Sequence, residues 1–272
     1  MEIKEIERAL VKRYRAKIFK PFIQAINTYN LIEENDVIGV CISGGKDSLT
    51  MAKLFQEIKR HNQKSFEVKF LVMDPGYNEK NLKSLIENCE KLEIPIIIKV
   101  SNIFEVASKL DPEKPCYMCA RMRRGFLYEF AQEQGCNKIA LGHHKNDVIE
   151  TILMNIFYNG TFKTMMPKLK AANFENMELI RPMTFIEEKN IANYMKYCQI
   201  EALSCACKVA SKDLDSYRKK VKELIASLKK EFKDIEKCIY NSANNINLDC
   251  AIGWKHQGKE YSFQDFYDEN NK

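Results

Sequence analysis

The chain predicts a doubly wound α/β domain with a mostly parallel sheet, and two observations predict it. Short apolar runs such as Val37–Ile42 recur, each followed by a longer stretch of helical periodicity. Turn chemistry, chiefly Gly44-Gly45 and Asp74-Pro75-Gly76, falls where those runs end. Strands alternating with helices at this spacing form a parallel sheet covered on both faces. Such sheets bind ligands outside the carboxyl ends of the strands, where strand order reverses.

The elements follow in order. Residues 5–29 read as a helix with a basic face, carrying Arg8, Lys12, Arg13, Arg15, Lys17 and Lys20. Val37–Ile42 is a buried strand, and the helix over 48–60 sets Met51, Leu54, Phe55 and Ile58 on one stripe. A second strand spans 66–73, a helix 78–92, and a third strand 94–100, entered through Pro95. After a short helical stretch, the loop 110–115 delivers Cys116 and Cys119 to a helix over 121–134. A strand at 138–141 leads to a helix over 147–159 with Val148, Ile152 and Ile156 on its apolar side. Residues 179–181 read as a last edge strand, followed by a helix over 187–198. The expected division is a helical extension over 1–30, an α/β domain over 31–205 and a helical appendix with a polar tail over 206–272.

At 272 residues and 45% apolar composition, the chain can bury a sizeable core. No apolar run is long enough to span a bilayer, and the first residues are too charged for a secretory signal. The expected compartment is the cytoplasm, with no membrane partner. Ten cysteines in so long a chain do not make a disulfide scaffold. Cys41, Cys89, Cys136, Cys198 and Cys238 read as core filler, whereas Cys116 and Cys119 stand apart by spacing and polar flanks. A net charge of +6 argues little by itself for nucleic acid. The N-terminal basic face and a later cluster of Lys208, Lys212, Arg218, Lys219, Lys220 and Lys222 read equally as a phosphate footprint or as solvated helix faces.

Ser43-Gly44-Gly45-Lys46-Asp47-Ser48 follows the first strand and opens a helix. Its glycines let the backbone turn tightly and present N–H groups at a helix N-terminus, which favours an anion such as pyrophosphate. Lys46 adds a point charge, Ser48 caps the helix or meets a phosphate oxygen, and Asp47 is placed to reach Mg²⁺. The spacing matches neither a Walker A loop nor a dinucleotide fingerprint. Asp74 and Gly142-His143-His144 lie at other strand ends on the same side. The Cys116-x-x-Cys119 pair admits four readings. With Cys205 and Cys207 it would make a zinc site of unusual spacing, and alone a redox pair. With one late cysteine it would hold an iron–sulfur cluster with one iron open, and otherwise the thiols are structural.

The strand–S-G-G-K-D-S–helix unit resembles the PP-loop of the ATP pyrophosphatase superfamily, whose members transfer AMP to an oxygen and release pyrophosphate. The longer pattern resembles the tRNA 2-thiocytidine synthetase family of iron–sulfur tRNA thiolases, related to the lysidine synthetases. It is carried by residues 43–48, by Pro115-Cys116-x-x-Cys119 running into Arg121, Arg123 and Arg124, and by Gly142-His143-His144. Asp147-x-x-Glu150-Thr151, residues 155–160 and 166–169, and Ile180-Arg181-Pro182 complete it, in family order over roughly 20–225. One departure stands out, because Asn146 replaces the first Asp of the family's G-H-H-x-D-D.

The resemblance implies an adenylating tRNA sulfurtransferase that thiolates C2 of an anticodon-loop cytidine, cytidine 32, with ATP, Mg²⁺ and a [4Fe–4S] cluster. It implies Cys116, Cys119 and Cys207 as cluster ligands, with Cys205 the alternative third. It implies catalytic roles for Asp47, Asp147 and Arg123. The nucleotide would fall to Ser43, Gly44, Gly45, Lys46, Asp47, Ser48, Asp74, Gly142 and His143. The partners would be tRNA and a sulfur donor such as a cysteine desulfurase or free sulfide, and a homodimer stays open. The rival readings are another PP-loop tRNA-modifying enzyme, such as one making a different thiolated nucleoside or a lysidine-type ligase, and a non-catalytic iron–sulfur redox sensor that binds RNA.

Overall fold

Strand β1 (Val37–Ile42) is buried along nearly its whole length, as a central parallel strand must be. It pairs in parallel with β2 (Glu67–Asp74) on one side and β4 (Lys138–Ala140) on the other, with Val40 opposite both Phe70 and Ala140. Beyond β2 lies β3 (Ile96–Val100), and beyond β4 lie β6 (Glu178–Ile180) and the antiparallel β5 (Lys168–Lys170). The order β3-β2-β1-β4-β6-β5 reverses direction between β1 and β4, so the ligand crevice of this computed structural model is at their carboxyl ends. The structure describes residues 1–61, 64–103, 106, 115–203 and 212–267, without the side chains of 115–121 and 212–216.

Helix α3 (Lys46–His61) lies on one face with α4 (Glu79–Lys91) and α7 (Glu188–Tyr197), and buries Met51, Leu54, Phe55 and Ile58. The N-terminal segment belongs to the same core, in which Ile6, Leu10, Ile18 and Phe22 are fully buried. That segment runs as α1 (Ile3–Arg8), two π-helical stretches over Ala9–Arg13 and Arg15–Phe19, and α2 (Lys20–Thr28). Its buried stripe, Ile6, Leu10, Tyr14, Ile18, Phe22 and Ile26, repeats every fourth residue. In a regular helix such a stripe would rotate about 40° per step off the core, and the wider π turns cancel that drift. Helix α5 (Pro115–Glu133) covers the opposite face through Tyr128, Phe130 and Ala131. Helix α6 (Lys145–Asn159) packs against α8 (Lys212–Glu231) and α9 (Ile235–Ser242) through Val148, Ile152, Val221, Ile225 and Tyr240.

Several expectations are corrected. The strand read over 179–181 is interior, because β5 lies outside it and forms the edge. The appendix also holds a hairpin of β7 (Gly253–His256) and β8 (Lys259–Ser262) beyond its helices. Helix α5 starts at Pro115, so Cys116 and Cys119 stand on its first turn and not in a loop before it. Cys238 is exposed and no core filler, and Ile156 is also exposed, while Cys41, Cys89, Cys136 and Cys198 are buried. The loop 110–114 and most of the short helical stretch before it lie outside the described residues, as does the tail after residue 267. No helix among the described residues is long and apolar enough to cross a membrane.

A buried ion network fixes the start of the two central strands. Lys138, 1% exposed, places Nζ 2.7 Å from Asp36, 3.1 Å from Glu33 and 3.5 Å from Glu178. Asp36 also accepts the Glu33 N–H at 2.6 Å and an Asn137 side-chain N–H at 2.8 Å, and Asn137 accepts the Val37 N–H at 2.8 Å. Removing one partner of a buried pair leaves the other's desolvation uncompensated. Asp36→Ala should therefore cost about 3 kcal/mol in urea denaturation. A loss no larger than that of an ordinary surface substitution would show that Glu33 and Glu178 suffice to hold Lys138.

Candidate active site

The turn between β1 and α3 is built to leave backbone donors open. Gly44 adopts φ +79°, a left-handed conformation that L side chains rarely take. A β-carbon there would lie 2.7 Å from Leu203 Cδ1, and the Gly44 carbonyl accepts the Leu203 N–H at 3.0 Å. Ser48 pins the turn from inside, accepting the Ser43 N–H at 3.2 Å and donating to the Gly45 carbonyl at 2.9 Å, with Ser43 Oγ 3.2 Å away. The first backbone bond into the helix runs from Leu49 to Gly45 at 3.1 Å. The N–H groups of Lys46, Asp47 and Ser48 have no backbone acceptor among the described residues and carry the positive end of the helix dipole.

The facing wall is the loop after β4. A β-carbon on Gly142 would lie 3.3 Å from Asp47 C and Ser48 N, so backbone passes directly over backbone there. His144 then caps α6 in a reciprocal box, its Nδ1 accepting the Asp147 N–H at 3.3 Å while Asp147 Oδ2 accepts the His144 N–H at 2.9 Å. With Nδ1 so engaged, Nε2 faces the other carboxylates, 3.9 Å from Asp47 Oδ1 and 3.8 Å from Glu188 Oε1. His143 Nδ1 is buried without a hydrogen-bond partner among the described residues. Burial and the Arg181 cation pull His143 down to about 4, so it is a neutral ring with an unused nitrogen at physiological pH.

Around these walls runs a ring of charge. Lys46 Nζ sits 3.0 Å from Asp47 Oδ2 and 2.9 Å from Glu188 Oε1. Burial works against the Lys46 charge, but Asp47 and Glu188 outweigh it and raise its pKa; likewise burial is outweighed by Lys46 at Glu188, whose pKa falls. Arg218 approaches Asp147 Oδ1 at 3.4 Å and Glu150 Oε2 at 3.7 Å, and Lys222 reaches Glu150 and Glu188, each at 3.6 Å. Asn146 joins this frame, accepting the Glu188 N–H at 2.9 Å and donating to Glu236 Oε1 at 3.1 Å. Asp in its place would set a carboxylate against Glu236, which gives the family departure a local reason.

The structure thus gathers Ser43, Gly44, Gly45, Lys46, Asp47, Ser48, Gly142 and Asp147 around one crevice, with His143 in the same loop. Asp74, at the end of β2, spends Oδ1 on its own turn, accepting the Gly76 and Tyr77 N–H groups at 2.9 and 2.7 Å. Arg123, half-buried on α5, has no hydrogen-bond or ion-pair partner among the described residues. The side chains of Cys116, Cys119 and Cys207, and of the alternative Cys205, lie outside the described residues, and no metal-holding group of His, Cys, Asp and Glu occurs among those described. Sequence reading missed Glu188, and it read Arg218 and Lys222 as part of a phosphate footprint or a solvated helix face, not as partners of the carboxylates in this crevice. The residues fit ATP with Mg²⁺: open N–H groups, a lysine, and a buried Asp47 Oδ1 without a hydrogen-bond partner among the described residues.

Burial pushes the Glu150 carboxyl up to about 7, against the pull of Lys222 and Arg218. A raised carboxyl pKa stabilises the fold fully below the ordinary value of 4.5, and that contribution is lost as pH rises through about 7. Glu150→Gln should accordingly flatten the fall in stability across this window. At pH 8 the variant should exceed the native sequence by on the order of 3 kcal/mol in chemical denaturation. An unchanged pH slope would mean that Arg218 and Lys222 keep Glu150 ionised throughout.

Comparison with known proteins agrees with this geometry. The PP-loop domain family matches residues 12–204. The tRNA-cytidine(32) 2-sulfurtransferase of Bdellovibrio bacteriovorus is 35% identical, the match covering 85% of this chain and 88% of the relative. That of Coxiella burnetii (strain Dugway 5J108-111) is 34% identical, over 86% of this chain and 91% of the relative. The U34-tRNA thiolase NcsA of Methanococcus maripaludis, solved with its [4Fe-4S] cluster, shares the fold at a TM-score of 0.66 and 22% identity, over 86% of this chain and 80% of that one. With its central domain matched and its relatives aligned over most of their length, the chain belongs to the PP-loop domain family and, within it, to the family of the tRNA-cytidine(32) 2-sulfurtransferases.

Proposed function

We propose that this chain is an ATP-dependent tRNA sulfurtransferase, which adenylates and then thiolates C2 of cytidine 32 in the anticodon loop. One observation carries the reading beyond family membership. The segment that holds Cys205 and Cys207 leaves directly from the phosphate turn, because Leu203 packs on Gly44 and is hydrogen-bonded to it. Four residues of extended chain span at most about 14 Å, so the Cys207 backbone stays within that distance of Leu203. Topology also supports the other two ligands. Helix α5 runs back from the carboxyl-end side of the sheet, so its first turn, with Cys116 and Cys119, begins on the crevice side. Three thiolates fit a [4Fe–4S] cluster with one iron uncommitted, and a helix N-terminus favours the thiolate form.

In this reading the N–H groups of the turn and Lys46 hold the polyphosphate, and the free Asp47 Oδ1 directs Mg²⁺. The cytosine O2 attacks the α-phosphorus, pyrophosphate leaves, and sulfur then replaces AMP at C2. When bound, the cluster supplies a soft iron position for that sulfur, drawn from a cysteine desulfurase or free sulfide. His143, neutral and with a free nitrogen, is suited to hold a nucleobase edge. Asp147 acts as a positioning residue, since one carboxylate oxygen caps α6 and the other faces Arg218. Arg123 is left to meet substrate phosphate or developing charge. The target base must be unpaired, as in a loop. The exposed Arg8, Lys12, Arg13, Arg15, Lys17 and Lys20 offer phosphate contacts, and the reaction takes place in the cytoplasm.

Cysteine variants purified without oxygen test this. Cys116→Ala, Cys119→Ala and Cys207→Ala should each lose iron and thiolation together, while Cys205→Ala keeps both. Lys46→Ala should retain iron yet abolish ATP-dependent pyrophosphate release. Loss of iron in Cys205→Ala but not Cys207→Ala would exchange the third ligand. Zinc in place of iron in the native protein would refute the sulfur chemistry.

A further inference from the structure

The charged ring around Lys46 does more than hold a lysine ready. Glu188 divides its carboxylate, Oε1 lying 2.9 Å from Lys46 and Oε2 lying 3.6 Å from Lys222. Lys46 is on the phosphate turn, whereas Lys222 is on α8, the helix that follows the segment holding Cys205 and Cys207. Asn146 accepts the Glu188 N–H at 2.9 Å and so fixes where α7 begins. The charged groups facing this point come from every packed element: Asp47 on α3, His144 and Glu150 around the start of α6, and Arg218 and Lys222 on α8.

We propose that Glu188 is a positioning residue that couples nucleotide occupancy to the docking of α8, by trading its hold on Lys46 for a closer hold on Lys222. The inference rests on the reading that the turn binds the phosphates of ATP. A polyphosphate at the open N–H groups is a stronger acceptor for Lys46 than one carboxylate. Once Lys46 turns to it, the lysine left within reach of Glu188 among the described residues is Lys222 of α8. The opposing carboxylate on Lys222 is Glu150, 3.6 Å away, whose negative charge burial disfavours, so Lys222 is free to shift toward Glu188. Nucleotide binding thereby tightens the packing of α8 against the start of α7.

Two substitutions of opposite sign test the coupling, with a non-hydrolysable ATP analogue and Mg²⁺ as the probe. Glu188→Gln releases Lys46, and should bind the analogue roughly two- to fivefold more tightly. Lys222→Met leaves Glu188 wholly on Lys46, and should bind it weaker by a similar factor. In the native protein the analogue should increase the hydrogen-exchange protection of the α8 amides, and in both variants that increase should vanish. Affinities that move in the same direction, or α8 protection that rises equally in Glu188→Gln, would overturn the coupling while leaving the phosphate site intact. Failure of the native protein to bind the analogue at all would refute the phosphate reading and this inference with it.

Discussion

The site depends on how closely two strand ends approach. At position 142 a β-carbon would stand 3.3 Å from the backbone of Asp47 and Ser48, and glycine removes it. That approach sets the first turns of α3 and α6 side by side, and Asn146, at the start of α6, fastens the first turn of α7 beside them. Three helix N-termini thus converge, each presenting the positive end of its dipole. The acidic residues in those first turns, Asp47, Asp147 and Glu188, follow from the same electrostatics, because a carboxylate is favoured at the positive end of a helix dipole. An incoming polyphosphate meets a place already suited to negative charge, and must compete with the protein's own carboxylates for it.

That competition explains the mixed sign of the ring. Asp47, Asp147, Glu150 and Glu188 stand against Lys46, Arg218 and Lys222. Burial disfavours the charge on Glu150, so the negative and positive members of the ring stay close to balance, which keeps buried charge tolerable. A surplus of cations would bind phosphate more strongly but would destabilise a site where helix dipoles already add positive potential. In the proposed reading, Mg²⁺ held by Asp47 would bring further positive charge together with the nucleotide.

The parts of this design legible in the sequence are those encoded locally. The glycine turn, the strand before it and the helix after it are contiguous, so spacing alone revealed them. The doubly wound order followed from the alternation of apolar runs and helical stripes. Glu188 escaped notice because its partners lie far away in the chain at Lys46 and Lys222, with no spacing to announce them. The hairpin was missed because its turn is Gln257-Gly258, with φ of 49° and 80°, where Asn-Gly is the usual signal. Strand β5 hid behind Lys168 and Lys170, which suit an exposed edge and read as loop. The fourth-residue stripe from Ile6 to Ile26 was visible but fits neither a strand nor a regular helix, and only π-helical turns make sense of it.

One measurement tests the central claim, that this fold brings ATP and a thiolate-held cluster together to thiolate a tRNA base. It is the mass analysis of nucleosides from tRNA of a strain lacking this chain, with and without its return on a plasmid. 2-Thiocytidine should vanish in the deletion, return with the native sequence, and stay absent with Cys119→Ala. Undiminished 2-thiocytidine in the deletion, with some other modified nucleoside lost instead, would contradict the account.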